Sequence, residues 1–246
     1  MIVLDKLSVQ YADGKQVLNQ VNCGVNDGET VGIIGANGAG KSTLLKSLVG
    51  LLLPSHGRIE IHGVEVNQKN VRKIREMVGV VFQNPDDQLF MSNVYDDIAF
   101  GPRNYGMKEE WVKQRTYHMF HAFGIEHLEK SHSNKLSGGE KRIVAIATAL
   151  VMEPSVLLFD EPTSFLDPRM RRRLIKLLKE LKMTKIIATH DLDMALELCD
   201  RVIILKDGSI YAEGQAKDIL TNETLLLEAG LELPYCLQKC MDIGKV

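Results

Sequence analysis

A glycine-rich segment in the N-terminal part of the chain has the residue types of a phosphate-binding loop. The residues from Gly35 to Ser42 read GANGAGKS, so that glycines precede a lysine and a serine at the spacing of the P-loop pattern. Glycine is required because backbone N–H groups must curl inward around phosphates, along a path that side chains would block. A lysine adds positive charge beside the terminal phosphates, and a serine hydroxyl can coordinate Mg²⁺. The segment therefore predicts a site for a nucleoside triphosphate.

The flanking residues predict the elements that hold this loop. A buried strand is expected from Thr30 to Ile34, and a helix carrying Leu44 and Leu48 is expected directly after the loop. A helix N-terminus in this place favours anions, since it presents unpaired N–H groups and a positive dipole. The residues predicted to contact the nucleotide here are Gly35, Asn37, Gly38, Ala39, Gly40, Lys41 for the β- and γ-phosphates, Ser42 for Mg²⁺, and Thr43 for the α-phosphate.

Two carboxylates follow a second apolar strand pattern. The residues from Val156 to Glu161 read VLLFDE, which puts both acids at the carboxyl end of a buried strand, the edge where open α/β sheets bind ligands. Asp160 is therefore assigned to the Mg²⁺ shell, and Glu161 to polarising the water that attacks the γ-phosphate. The alternative is a merely solvated acidic pair, which the neighbouring P-loop disfavours.

Two further polar residues end predicted strands of the same sheet. His190 follows the strand pattern of residues 185–189, and Gln83 follows that of residues 78–82. Both would face the ligand edge, where the Gln83 amide could ligate Mg²⁺ or orient water. A lone histidine is more often structural, so neither residue decides the function unaided.

Strand and helix patterns alternate along most of the chain. An antiparallel hairpin is expected near the N-terminus, around a turn at residues 13–15, and helices separate the later strands. This alternation predicts an α/β fold with a mainly parallel sheet covered on both sides. A P-loop NTPase domain is expected over residues 1–220, with a helical insert lobe at about 84–152, and residues 221–246 are expected to form a C-terminal helical extension.

The bulk composition excludes several classes of protein. The formal net charge is −2 and 25% of residues are charged, so no general positive field is available for nucleic acid. No apolar stretch is close in length to the about 20 residues that a helix needs to cross a bilayer. The four cysteines are scattered, and Cys236 and Cys240 lack nearby partners for a zinc set, which favours free thiols.

A second glycine-containing motif indicates the family. Residues Leu136 to Glu140 read LSGGE before a helix pattern, which predicts a second anion-binding surface at a helix N-terminus. With this segment the chain resembles the ABC (ATP-binding cassette) ATPases, over about residues 2–214. The motifs of that family stand here in order, namely Tyr11, the P-loop, Gln83, the Ser137 signature, Asp160 with Glu161, the loop Ser164 to Asp167, and His190.

The resemblance implies an ABC ATPase fold that works as a head-to-tail dimer with ATP and Mg²⁺. Each ATP would lie between the P-loop of one subunit and Ser137, Gly138 and Gly139 of the other. It also implies that Tyr11 stacks on adenine and that Glu161 is the catalytic base. His190 would contact the γ-phosphate, and Gln83 would link the nucleotide to a membrane partner.

Two residues depart from the family pattern. Glu140 stands where the signature usually ends in Gln, and Phe165 stands where the loop before Asp167 usually has Ala. A carboxylate near a polyphosphate is unfavourable unless it points away or pairs with Lys141 or Arg142, and we expect it to be tolerated on that condition. Phe165 is expected to add apolar contact at the dimer interface.

The segment after Gln83 resembles the energy-coupling factor group of cobalt, nickel and vitamin importers. In that group it receives helices of a transmembrane coupling subunit, with which Asp86 and Asp87 could pair, although a solvated acidic loop remains the alternative. The resemblance implies a peripheral protein at the cytoplasmic face of the membrane. Its partners would be a second, identical or paralogous ATPase subunit, a coupling subunit and a substrate-binding membrane subunit. The residues from Leu225 to Leu237 are expected to form a helical dimer contact. The ATPase of another ABC importer or exporter, or a soluble ABC regulator, is the alternative.

Overall fold

The computed structural model describes residues 1–238, so Cys240 and the end of the predicted C-terminal extension lie outside the described residues. The strands are β1 Ile2–Gln10, β2 Gln16–Val25, β3 Thr30–Ile34, β4 His56–Ile61, β5 Val64–Glu65, β6 Val78–Val81, β7 Val156–Asp160, β8 Thr184–Ala188, β9 Arg201–Lys206 and β10 Ser209–Gln215. The helices are α1 Lys41–Leu48, α2 Val71–Met77, α3 Val94–Asn104, α4 Glu109–Phe123, α5 Gly138–Leu150, α6 Pro168–Glu180, α7 Leu192–Leu198, α8 Ala216–Leu220 and α9 Glu223–Glu228.

A mainly parallel sheet carries the site. Its strand order is β10-β9-β3-β8-β7-β6, in which only the edge strand β10 runs antiparallel to its neighbour. A second, antiparallel sheet has the order β2-β1-β4-β5 and contains the predicted N-terminal hairpin. The α/β fold class expected from the alternating pattern is therefore confirmed.

Both faces of the parallel sheet are covered, as the apolar strand runs require. Along β7, Leu157 and Phe159 pack with α5 and α6, whereas Val156 and Leu158 join the core beneath the antiparallel sheet and α1. Successive side chains of a strand point to opposite faces, so a strand buried on both sides reads as a continuous apolar run. This burial fixes the strand ends, and with them the polar residues that follow.

Several elements were not expected from the sequence, the short helix α8 among them. Strand β5 has only two residues, helix α2 is a short basic segment with one buried side chain, and β10 alternates at a solvent-facing edge. Each buries little apolar surface, so its hydrophobic pattern is weak.

The C-terminal apolar stretch is helical only in part, which corrects the expected helix from Leu225 to Leu237. Helix α9 ends at Glu228, and Gly230 takes a φ of 72°, a left-handed conformation that terminates helices. A 3₁₀ turn at residues 235–237 follows Pro234 and is held by Asp193, which accepts hydrogen bonds from the Tyr235 and Cys236 amides. Across residues 1–238, we find no helix with the length and apolar character to span a membrane.

Candidate nucleotide-binding site

One cavity of about 670 Å³ lies at the edge of the parallel sheet where its strands end. Most of the predicted nucleotide and catalytic residues line it, namely Tyr11, Asn37, Gly38, Ala39, Gly40, Lys41, Ser42, Thr43, Gln83, Glu161 and His190. Gly35 and Asp160 stand directly behind this lining, since Gly35 O accepts from Lys41 and Asp160 accepts from Ser42. Residues from Tyr11 to His190 therefore converge on one place although they lie far apart in the chain.

The cavity also has lining residues that sequence reasoning missed. Lys15, Gln16 and Val17 come from the hairpin turn and the start of β2, and Asp207 and Gly208 come from the β9–β10 turn. The two turns lie side by side, because Asn19 N donates to Gly208 O at 2.8 Å. The sequence marks both segments as turns, but it does not show that they meet.

The glycines of the P-loop occupy positions that a side chain would obstruct. Gly38 and Gly40 have φ values of 83° and 106°, which favour glycine strongly. A Cβ atom on Gly35 would lie 2.4 Å from Leu205 O, and one on Gly40 would lie 2.7 Å from Leu18 Cδ2. The loop is thus packed against β9 and β2, and α1 begins immediately after it at Lys41.

Lys41 folds back over the loop that it belongs to. Its Nζ donates to Gly35 O at 2.7 Å and to Ala36 O at 3.2 Å, and the residue is buried. Burial lowers the pKa of this ammonium, and the carboxylates of Glu161 and Asp160 oppose the shift. The cation therefore lies inside the ring of backbone that would surround a phosphate.

Ser42 and Asp160 form a pair of oxygen ligands at the base of the cavity. The Ser42 hydroxyl donates to Asp160 Oδ1 at 3.1 Å, which joins the start of α1 to the end of β7. Burial raises the pKa of Asp160, although the Ser42 hydrogen bond lowers it. A half-buried carboxylate beside a hydroxyl is a site where a cation would be favourable.

Glu161 and His190 face each other across the ends of β7 and β8. His190 Nδ1 lies 2.7 Å from Glu161 Oε2, and the His190 amide donates to the same oxygen at 3.1 Å. Glu161 takes a φ of 48°, and its amide donates to Ala188 O at 2.8 Å. The carboxylate is buried while 68% of the imidazole is exposed. A proton acceptor is thus fixed in position next to an accessible ring.

Tyr11 and Gln83 both line the same cavity. The Tyr11 hydroxyl is 3.0 Å from Thr43 Oγ1, so the ring stands near the first turn of α1 with part of its face exposed. Gln83 has an exposed side chain, and its backbone carbonyl accepts a hydrogen bond from Arg142 at 2.7 Å.

The signature residues lie outside this cavity. Within the described part of the chain, Ser137, Gly138 and Gly139 do not line it, although Ser137 caps α5. Gly139 packs under the side chain of Met170, whose Cε would lie 2.6 Å from a Cβ atom there. The P-loop cavity and the signature residues of one chain therefore do not meet.

Glu140 pairs with neither of its expected partners. Its Oε2 accepts from both the amide and the hydroxyl of Ser137 at 2.7 Å, which completes a capping box on α5. Lys141 bonds to Asp86 instead, and Arg142 bonds to backbone carbonyls. Local capping donors, and not Lys141 or Arg142, therefore satisfy the Glu140 carboxylate.

The loop before α6 presents an aromatic side chain to solvent. Phe165 is 93% exposed at a φ of 64°, and Asp167 caps α6 by accepting from the Arg169 and Met170 amides. The ring is therefore accessible to a partner subunit.

Comparisons with known proteins agree with this geometry. A family model described as ABC transporter matches residues 18–164. The energy-coupling factor transporter ATP-binding protein EcfA of Carboxydothermus hydrogenoformans is 42% identical over 249 aligned residues, which cover 100% of this chain and 92% of that protein. The structure of cbiO1 from Clostridium perfringens, part of the ABC transporter complex cbiONQ, superposes with a TM-score of 0.81 at 40% identity and covers 95% of each chain.

A second solved structure bears on the reaction. A dimeric ATP-binding cassette in a post-hydrolysis state, bound to ADP and Pi, has a TM-score of 0.79 and 29% identity, covering 88% of this chain and 99% of that one. Together with the P-loop cavity, the carboxylates and the separate signature surface, these likenesses establish that the chain belongs to the ABC transporter family, as an ATP-binding subunit of the ATPase type.

Proposed function

We propose that this ATPase powers an importer of the energy-coupling factor type from the cytoplasmic face of a membrane. The observation that carries the proposal is the acidic 3₁₀ turn at Pro85–Asp87, which directly follows Gln83 at the rim of the nucleotide cavity. A partner that binds this turn would contact the segment that also faces ATP. The likeness to the EcfA and cbiO1 proteins supports the same assignment.

The residues at the cavity have separate roles in the proposed reaction. The P-loop amides and Lys41 hold the phosphates, and Tyr11 stacks on the adenine. Glu161 accepts a proton from the attacking water, which is the role that its fixed and buried carboxylate suits. His190, with its exposed ring beside Glu161, contacts the γ-phosphate, and Gln83 orients the water from the other side.

The residues around Ser42 fit a magnesium ion. Hydroxyl and carboxylate oxygens are the ligands that Mg²⁺ prefers, and the hydrogen-bonded Ser42 and Asp160 supply one of each. Ser42, Asp160 and the Gln83 amide would hold the ion, which when bound would neutralise charge on the β- and γ-phosphates. The raised pKa of Asp160 is consistent with this, since a bound cation would relieve the cost of its buried charge.

Transport work would come from the pairing of two such subunits. Each chain presents a P-loop cavity on one side and a Ser137 surface elsewhere, so a complete ATP site needs both members of a pair. ATP bound between them draws the subunits together, and hydrolysis with product release lets them part. That movement would be passed to a transmembrane coupling subunit through the loop after Gln83.

The proposed docking surface combines charge with exposed aromatic rings. Asp86 and Asp87 are exposed, and so are Phe90 and Phe100, whose rings form an edge-to-face pair with centroids 4.9 Å apart. Asp86 is already paired with Lys141 at 2.6 Å, so Asp87 is the freer partner for an arginine of the coupling subunit. An amphipathic helix carrying basic residues would fit this surface.

Purification of the tagged protein from detergent-solubilised membranes tests the importer assignment. We expect mass spectrometry to find an integral coupling subunit together with a small substrate-binding membrane protein. Recovery of soluble companions only would overturn the importer assignment and leave the ATPase chemistry intact.

A charge reversal tests the docking surface. Asp87→Arg should prevent recovery of the coupling subunit, whereas Asp218→Arg, at an exposed aspartate of α8 far along the chain, should not. Asp87 is preferred to Asp86 because Asp86→Arg would also break the Lys141 pair. Unchanged assembly of the Asp87 variant would mean that this turn is a solvated loop.

A further inference from the structure

The face of α5 that follows the signature is hydrogen-bonded to the loop that carries Gln83. Arg142 donates from NH1 to Phe82 O and from NH2 to Gln83 O, each at 2.7 Å. A planar guanidinium can hold two carbonyls at once, whereas a lysine ammonium is a single point of contact. The backbone on both sides of the Phe82–Gln83 peptide is therefore attached to one side chain of α5.

A second side chain fixes the same loop from its other end. Gln88 accepts from the Phe82 amide at 3.2 Å, and its Nε2 donates to Ala145 O at 2.8 Å and to Thr148 Oγ1 at 2.7 Å. The ion pair between Lys141 and Asp86 adds a further contact between α5 and this loop. Residues 82–88 are thus joined to α5 over the two turns that follow the signature.

Burying the Arg142 side chain at this position lowers the stability of the folded protein, which argues that its contacts have a function. Only 2% of it is exposed, and its Nε has no hydrogen-bond partner within residues 1–238. A buried cation without a bonded carboxylate is retained at a cost in stability.

We propose that Arg142 is a positioning residue that clamps the Gln83 loop to α5. Ser137 and Gly138, at the start of α5, would face the ATP of the partner subunit, while Gln83 faces the ATP of its own subunit. The clamp makes these two surfaces one rigid unit, so that a displacement of the Gln83 loop by the membrane partner also moves the signature. The inference rests on the proposed roles of Gln83 and the signature.

Hydrogen exchange tests the clamp without depending on activity. In Arg142→Lys, amides of residues 82–88 and of the first turn of α5 should exchange faster, because one ammonium cannot hold both carbonyls. Arg173→Lys is the matched control, since Arg173 donates to the backbone carbonyl of Phe123 at 3.3 Å, away from the Gln83 loop. Unchanged protection of residues 82–88 in Arg142→Lys would overturn the proposal.

A double-mutant cycle tests whether the clamp acts through Gln83. We expect Arg142→Lys to lower kcat for ATP hydrolysis by on the order of 10-fold, with little change in KM, as a displaced positioning group does. In a Gln83→Ala background the same substitution should have little further effect. An equal loss in both backgrounds would overturn action through Gln83 and leave a general structural role.

Two outcomes separate this inference from the proposed role of Gln83. If Gln83→Ala hydrolyses ATP as fast as wild type, the role of Gln83 fails, and hydrogen exchange alone decides whether the clamp exists. If Arg142→Lys does not fold, Arg142→Met replaces it, because that change removes both bonds to the Phe82 and Gln83 carbonyls and also the buried charge. Increased exchange of residues 82–88 in Arg142→Met, relative to Arg173→Met, supports the clamp, and unchanged exchange overturns it.

Discussion

At the scale of single residues, three carboxylates near the proposed ATP sites are distinguished by what they touch. Asp160 accepts from the Ser42 hydroxyl, Glu161 accepts from the His190 amide beside its ring, and Glu140 accepts from the amide and hydroxyl of Ser137. The first environment suits a metal ligand, the second a general base and the third a helix cap. The same functional group is therefore given three roles by neighbours only a few ångströms away.

Glu161→Gln should abolish hydrolysis while leaving ATP binding intact. The amide keeps the shape of the side chain but cannot accept a proton, and general-base catalysis typically contributes about 10²–10⁴-fold. Phosphate release in steady state and binding of a fluorescent ATP analogue measure the two properties. Hydrolysis at the wild-type rate would remove Glu161 from the mechanism.

Glu140→Gln should strengthen ATP-dependent pairing of subunits. The Ser137 hydroxyl now donates its hydrogen bond to the Glu140 carboxylate, although the ATP of a partner subunit would need that donor. The hydrogen bonds from Ser137 also lower the pKa of Glu140 and keep it charged. A glutamine can still accept a hydrogen bond from the Ser137 amide, but it does not repel phosphate. The protein concentration that gives half-maximal hydrolysis should therefore fall about threefold, which is the effect expected when a solvent-screened like charge is removed.

A titration of ATPase rate against protein concentration measures this effect. Glu126→Gln is the matched control, because Glu126 is an exposed glutamate of the same lobe that bonds to His121 instead of the signature. Weaker pairing in Glu140→Gln would show that the carboxylate assists the signature.

At the scale of elements, one aspartate ties the segments around His190 together. Asp191 caps α7 by accepting from Met194 N, receives both arms of Arg171 of α6 at 2.7 Å, and accepts from Thr163 Oγ1 at 3.0 Å. The loop that ends with Asp167 and the segment that carries His190 are therefore linked through this residue. Movement of α6 would be transmitted to the γ-phosphate side of the cavity.

Asp191→Asn should destabilise the protein by about 1–2 kcal/mol, the typical loss of charged hydrogen bonds to a partly buried pair. Arg171→Met should cost a similar amount, and the double variant should cost little more than either alone. Thermal unfolding of the three variants measures the coupling. Strictly additive losses would mean that the two side chains act independently.

The difference in stability between wild type and Asp191→Asn should depend on pH with a definite sign. Burial works against the ionised form of Asp191, but the hydrogen bonds from Arg171 and Met194 outweigh it and lower its pKa below the ordinary 3.8. The stabilisation is therefore fully present above that value and is lost as the pH falls through the lower, folded-state pKa. Wild type and Asp191→Asn should differ by the same amount from pH 5 to pH 8, and a difference that shrinks within this range would contradict the assignment.

For the molecule as a whole, we propose that the P-loop cavity and the Ser137 surface of one chain belong to two different ATP sites. A mixing experiment follows from this arrangement. Lys41→Ala disables the P-loop of a chain and Ser137→Glu disables its signature, so each variant alone should be inactive. Mixed at equal amounts, they should recover about a quarter of wild-type activity, because random pairing makes about half of the dimers mixed, each with one intact site of two.

The mixing experiment has its own control. Lys41→Ala mixed with Glu161→Gln should recover nothing, since both changes affect the same half of the site. Failure of the first mixture to recover activity would mean that the signature of one chain does not complete the cavity of another.

Much of the fold followed from sequence patterns, because buried strands and amphipathic helices leave periodic apolar residues. The strands from Thr30 to Ile34 and from Val156 to Asp160 lie almost where the pattern indicated. Elements with little buried surface, such as α2 and β10, were missed for the same reason. The helix expected through Leu237 was cut short by Gly230 and Pro234, whose backbone preferences outweighed a run of apolar residues.

The ATPase chemistry was predictable from local residue types, because a P-loop, an acidic strand end and a signature are each encoded by neighbouring residues that dictate the local backbone. The partners that those residues take could be read only from the folded chain. Arg142 and Phe82 are 60 positions apart, and Asn19 and Gly208, which join two turns, lie still farther apart in the chain. Contacts of this kind depend on how the sheet and helices pack, and no local pattern of residue types specifies them.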